Sequence, residues 1–170
     1  MVKNIFITGF PGRGKTTLII EIIKDLKLNA AGFYTKEIRE KGMRKGFKII
    51  TLDGKEGILA HLNVKSPYRV SKYKVNIKDL EEIGVKSVLE GLNTNKIIII
   101  DEIGKAEMFS NKFKEVVLSG INSKNKVLGT IKLTEDPFTD KIKRRKDTII
   151  FNLTRENREE IKKEIINLLK

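Results

Sequence analysis

The stretch "KNIFITGFPGRGKTTLIIEIIKDLKL", Lys3 to Leu28, holds a strand, a glycine turn and a helix in direct succession. The apolar run "IFIT" meets a glycine-rich loop, and the segment beyond carries Leu18, Ile22, Ile23 and Leu26 at helical spacing. Gly9, Gly14, Lys15 and Thr16 satisfy G-x-x-x-x-G-K-[ST], a phosphate-binding pattern when a strand precedes it and a helix follows. Each residue type has a physical task if the loop wraps a triphosphate. Glycines let backbone amides converge on phosphate oxygens, where the helix N-terminus adds its positive end. Lys15 supplies a mobile cation for the β and γ phosphates, and the Thr16 hydroxyl a ligand for Mg²⁺. The expected nucleotide-binding stretch is Gly9, Phe10, Pro11, Gly12, Arg13, Gly14, Lys15, Thr16 and Thr17. Of these, Phe10, Pro11 and Arg13 contribute mainly backbone.

A second constellation is "KIIIIDEIGKAEMF", Lys96 to Phe109. Four aliphatic residues ending in Asp101 describe a buried strand that delivers a carboxylate at its C-terminal edge, where open α/β sheets bind ligands. Asp101 is expected to join Thr16 in orienting Mg²⁺ and to lie with Glu102 beside the nucleotide. Glu102, one residue on, suits acceptance of a proton from an attacking water. Lys15 and Glu102 are therefore the expected catalytic pair. Arg39, Arg44, Arg144 and Arg145 are candidates for contacting the transferring phosphoryl group. Glu107 reads as a supporting carboxylate or a helix-start charge. His61 stands alone and reads as structural. Phe33 and Tyr34 read as hairpin core, or as a surface on which a base could stack.

After the first helix, "AGFYTKEIRE" (31–40) and "KGFKIITLDG" (45–54) form a strand pair, with "KEGILAHL" (55–62) as a third strand after the Asp53-Gly54 turn. "VNIKDLEEIGVKSVLEGL" (75–92) has a helical stripe interrupted at Gly84. From Lys96 onward strands alternate with helices, which implies parallel pairing by right-handed crossovers. The last helix is expected from Thr154 as its N-cap, burying Ile161, Ile165, Leu168 and Leu169. The expected fold is α/β: a three-layer P-loop NTPase sandwich with a mostly parallel central sheet and an antiparallel hairpin or meander inserted at roughly residues 31–62.

At 170 residues one domain is expected, large enough to bury a core without disulfides. The absence of cysteine excludes thiolate metal sites and a cysteine nucleophile and suits a reducing compartment, with the cytoplasm as default. The N-terminus lacks signal-peptide anatomy, and the longest aliphatic run, Ile97 to Ile100, is too short to span a membrane. The net charge of +13 suits a polyphosphate ligand or a generally lysine-rich composition. Its lysines are scattered among glutamates, only "KIKRRK" (141–146) is dense, and no aromatic interleaving favours nucleic acid. A monomer is the default expectation.

Together these segments resemble one family, the small nucleoside-triphosphatases first known from thermophiles and related to the animal cancer-related nucleoside-triphosphatase. "ITGFPGRGKTTL", "GFYTKEIRE" with "RKGFKIITLDG", "IIIIDEIGKAEMF", "DPFTDKIKRR" and "LTRENREEI" carry the resemblance almost end to end. It departs at Ala106, where the family pattern has methionine, and at Ser71, where it has glycine. The resemblance implies Mg²⁺-dependent hydrolysis of ATP, GTP and other nucleoside triphosphates to diphosphate and phosphate. It places Gly9 through Thr16 on the phosphates and Asp101 with Glu102 on metal and water. From the residues alone, a small nucleoside or nucleotide kinase with "KIKRRK" as a lid stays open, as does a nucleotide-responsive RNA-binding protein.

Overall fold

Alternation along short apolar strands builds a sheet with a core on each face. In the computed structural model, which describes residues 1–170, β1 (Asn4–Thr8) is buried throughout. Ile5 and Ile7 point to one face, with Ile99 and Leu128, and pack on Leu18, Ile19 and Ile22 of α1 (Lys15–Asp25) and on Ile161, Ile165 and Leu169 of α6 (Arg158–Leu169). Phe6 points to the other face with Ile98, Ile100 and Val127, against Val88, Phe113, Val116, Val117 and Ile121. The last four of these belong to α4 (Asn111–Asn122), and Val88 to α3 (Lys86–Gly91). Helices thus cover both faces, the layering expected where strands and helices alternate. Full burial of each such aliphatic side chain stabilises the fold by about 1.5–3 kcal/mol relative to exposure.

The remaining strands are β2 (Ala30–Glu40), β3 (Met43–Thr51), β4 (Glu56–His61), β5 (Arg69–Val70), β6 (Tyr73–Val75), β7 (Ile97–Ile103), β8 (Val127–Ile131) and β9 (Thr148–Asn152). They form one nine-stranded sheet in the order β5-β6-β4-β3-β2-β7-β8-β1-β9. The pairs β2–β7, β7–β8, β8–β1 and β1–β9 are parallel. The pairs β2–β3, β3–β4, β4–β6 and β6–β5 are antiparallel. The sheet is therefore mixed in equal parts rather than mostly parallel, because the meander is no separate insertion. Residues Ala30 to Phe33 of β2 pair with β7, while the strand continues to Glu40 against β3, so one long strand carries both halves. Two strands beyond residue 62, β5 and β6, extend the meander further than its hydrophobic pattern indicates.

Two other expectations shift in detail. The segment 75–92 runs as α2 (Ile77–Asp79), π-type turns over Leu80–Val85 and α3, so the break at Gly84 is a change of helical pitch. The terminal helix begins at Arg158, not Thr154. Thr154 and Asn157 instead close a reciprocal turn, Thr154 N–H donating to Asn157 Oδ1 (2.8 Å) and Asn157 N–H to Thr154 Oγ1 (3.3 Å). α5 (Pro137–Lys143) is capped by Asp136, which accepts the Phe138 and Thr139 amides, and α4 by Ser110. No helix is long and apolar enough to cross a membrane.

Ser71, in the turn between β5 and β6, has φ 56°, a left-handed conformation that opposes a side chain by about 1–2 kcal/mol. Glycine removes that opposition at about 0.5–1 kcal/mol of backbone entropy. Ser71→Gly is therefore expected to raise stability by up to about 1 kcal/mol, read as a higher urea midpoint at unchanged slope.

Candidate active site

The glycine loop joins the C-terminal end of β1 to the first turn of α1. Gly9 has φ 149°, and a Cβ there would lie 2.8 Å from the Leu153 carbonyl oxygen, so only glycine lets the chain leave the strand beside β9. Gly14 caps the helix in the left-handed region, with no side chain bonded to the helix amides and no acidic residue in the first turn. The amides of Lys15, Thr16 and Thr17 begin the helix and have no intrahelical acceptor. Lys15 folds back across the loop, its Nζ donating to the Gly9 (2.7 Å) and Phe10 (3.3 Å) carbonyls. Phe10 is 63% exposed and the Arg13 guanidinium lies 6.0 Å above its ring, so both side chains turn outward. Pro11, Gly12 and Thr17 are exposed on the loop's rim.

Asp101 lies near the end of β7, 2% exposed. Its Oδ2 accepts the Thr16 hydroxyl of α1 at 2.7 Å and the Thr35 amide of β2 at 3.3 Å. Its Oδ1 accepts the Thr130 hydroxyl of β8. Burial pushes the Asp101 carboxyl above the ordinary aspartate range, against the pull of these three donors and of the Lys15 charge. The Asp101–Glu102 peptide is cis, and the ladder with β8 slips between Ile100 and Ile103.

Glu102 is half-buried, and its carboxylate packs over Gly104, where a Cβ would come within 2.5 Å of Oε1. Burial and then the Asp101 charge raise its carboxyl above the usual glutamate value, while Lys15 and Lys132 oppose the rise. Glu107 opens the short 3₁₀ turn Glu107–Phe109 and is 2% exposed. Its Oε2 accepts the Gly104 amide at 3.2 Å, bracing the turn against which the Glu102 carboxylate rests. Burial, followed by the Glu102 charge, lifts Glu107 well above the usual glutamate value.

The arginines are distributed differently. Arg39 and Arg44 share Glu37, at 2.8 and 3.2 Å, on the part of β2–β3 that projects past Asp101's partner Thr35. Arg44 also donates to the Tyr73 hydroxyl (2.9 Å) and stacks on Phe47 and Tyr73. Arg145 pairs with Asp147 (2.9 Å) and donates to the Ile121 carbonyl, which Lys3 also reaches. Those contacts lie at the start of β1, whereas the loop follows its end, roughly 15 Å away at a strand's rise per residue. Arg144 caps the same end of α5, so neither it nor Arg145 is brought to the loop. The short span between Asp136 and Asp147 forces this, because α5 carries the chain from the end of β8 back to the start of β9. His61 accepts the Asn63 amide in a turn, and Phe33 is core, edge-on to Phe113.

Thr35 and Thr130 escape a reading of the sequence, since a lone threonine in a strand carries no pattern. The only signal is that "KVLGTIK" ends at the same sheet edge as Asp101. No group of three or more His, Cys, Asp or Glu side chains is placed to hold a metal. The Thr16 hydroxyl and the Asp101 carboxylate, 2.7 Å apart, are two hard oxygen donors and fit Mg²⁺, which keeps waters and phosphate oxygens for its other positions.

A parallel strand that hands a glycine loop to a helix N-terminus, with a carboxylate at a nearby strand end, defines a phosphate-binding α/β protein. The sequence matches the NTPase family over residues 4–166, and the chain belongs to that family. It is 56% identical to the nucleoside-triphosphatase THEP1 of Thermotoga sp. (strain RQ2), over 98% of this chain and 95% of that one. The crystal structure of THEP1 from the hyperthermophile Aquifex aeolicus superposes with a TM-score of 0.89 at 37% identity, over 98% of this chain and 99% of that one. The solution structure of a human cancer-related nucleoside triphosphatase does so with 0.86 at 33%, over 99% and 98%.

Thr130→Val deprives a buried carboxylate oxygen of its donor and is expected to destabilise the fold by about 1–3 kcal/mol in urea unfolding. Glu107 gives a pH signature. A carboxyl whose folded pKa is raised binds more protons folded than unfolded, so stability falls as pH rises above the ordinary glutamate value. Glu107→Gln, which retains an acceptor for the Gly104 amide, is expected to gain on wild type between pH 5 and pH 8, by about 1.4 kcal/mol per unit of pKa displacement crossed. A thermal-melt difference that stays constant over that range contradicts this.

Proposed function

We propose that the protein is a Mg²⁺-dependent nucleoside-triphosphatase, a phosphohydrolase that releases phosphate from ATP, GTP and other nucleoside triphosphates. In this reading all 170 residues act as one domain. The observation that carries it is the contact between loop and strand end: Thr16 bonded to Asp101, with Glu102 next in the chain, in a protein of the NTPase family. The loop amides and Lys15 bind the β and γ phosphates. Thr16 and Asp101 hold Mg²⁺, which neutralises phosphate charge when bound.

Glu102 orients a water and takes its proton as the water oxygen bonds to the γ-phosphorus. The bond from that phosphorus to the β,γ-bridging oxygen breaks, leaving the nucleoside diphosphate and inorganic phosphate. A carboxylate held above its usual pKa by burial and a neighbouring charge is a better proton acceptor than a solvated one. Broad base tolerance follows from a site built on phosphate contacts, since no loop residue offers a side-chain amide or carboxylate to a base edge. The kinase alternative loses its lid, because "KIKRRK" ends away from the loop.

Phosphate release from ATP and GTP with Mg²⁺ is the test. Glu102→Gln is expected to lower turnover by about 10²–10⁴-fold with nucleotide binding retained, whereas Lys15→Ala weakens binding as well. Release at the wild-type rate from Glu102→Gln defeats the assignment.

A further inference from the structure

A cavity of about 380 Å³ lies outside the phosphate loop and shares no residue with it. Its walls come from β5, from the turn after β7 and from the segment after β8, and include Arg69, Lys105, Met108, Phe109, Lys132 and Asp136. Three cations face one carboxylate, and that carboxylate is engaged by Lys132 at 3.6 Å. Arg69 and Lys105 take part in no ion pair, so two full positive charges remain for a ligand.

Val70, Met108 and Phe109 give the same wall an apolar part. Phe109 is 41% exposed, and Tyr68, outside the lining, stacks on it at 5.1 Å. A large aromatic ring left half in water beside unpaired cations suits a small-ligand pocket, apolar surface with a few convergent charges. The volume falls in the range that takes one small molecule. The wall is also continuous with the candidate active site. Lys105 is three residues past Glu102, the Lys132 amide bonds the Ile103 carbonyl at 3.0 Å, and the Lys132 charge acts on the Glu102 carboxylate.

We propose that this cavity is a second ligand site, which takes a phosphorylated small molecule bearing a planar ring, a nucleoside monophosphate being the simplest. The phosphate sits between Arg69 and Lys105, and the ring lies against Phe109. The site is independent of the hydrolase reading, since none of its residues belongs to the loop or to Asp101 and Glu102.

Calorimetric titration of the full chain with AMP, GMP, CMP and UMP tests it, in wild type, Lys15→Ala and the double variant Arg69→Ser/Lys105→Ser. At least one monophosphate is expected to bind Lys15→Ala with one equivalent, and at least tenfold more weakly to the double variant. Ribose 5-phosphate and inorganic phosphate are expected to bind Lys15→Ala at least tenfold more weakly than that monophosphate. Phosphate release from ATP, assayed in parallel, is expected to be unchanged in the double variant, which also reports that it is folded. Phe109→Ser offers a second disruption of the site by a different chemistry, with the same tenfold loss expected. The proposal is overturned if no monophosphate binds Lys15→Ala, if the double variant binds as well as wild type, or if the ringless phosphates bind equally tightly.

Discussion

The buried carboxylate of Asp101 is the contact on which this molecule's candidate site depends. A single side chain, 2% exposed, accepts from a helix hydroxyl, a strand amide and a second strand hydroxyl, so α1, β2 and β8 are all tied to β7 at one point. An unpaired carboxylate in such a place is costly, and satisfying it ranks the loop, the meander and the parallel strands into a single register. The Thr16 bond sets where the first turn of α1 sits relative to the strand ends. The Thr35 bond does the same for the long strand that leads into the meander.

From that point the other features follow in order of distance. Glu102 is displaced from regular pairing by the slip in the β7–β8 ladder, and its carboxylate settles over Gly104. Glu107 then braces Gly104 from within the core. Three carboxylates within seven residues are held in a protein with a net charge of +13, and Lys15 and Lys132 flank the central one. The net positive charge of the whole chain suits polyanionic ligands.

The meander shows why a hydrophobic pattern can give strands without giving their place. Alternation along residues 31–62 marks three strands, but pairing is a long-range event and each register depends on what the neighbour offers. Here the decisive neighbour is β7, against which only the first residues of β2 fit, as Ala30 to Phe33. The rest of β2 outruns the parallel sheet and needs β3. The short strands β5 and β6 carry too few residues for any period to register, yet β5 supplies Arg69 and Val70 to the cavity wall, and Tyr68 just before it stacks on Phe109.

The strand–loop–helix unit at Gly9 to Thr17, the buried strand that ends in Asp101–Glu102, and the alternation that makes an α/β sheet are legible in the residues alone. All three are contiguous, and contiguous residues carry their own geometry through spacing and glycine content. Long-range packing selected the donors that surround Asp101, since Thr16, Thr35 and Thr130 are joined by burial alone. It likewise decided that Arg144 and Arg145 sit at the opposite edge from the loop while Arg39 and Arg44 are bound to Glu37. A charged side chain goes where the chain's path and the nearest counter-charge take it, and neither is written in the residues beside it.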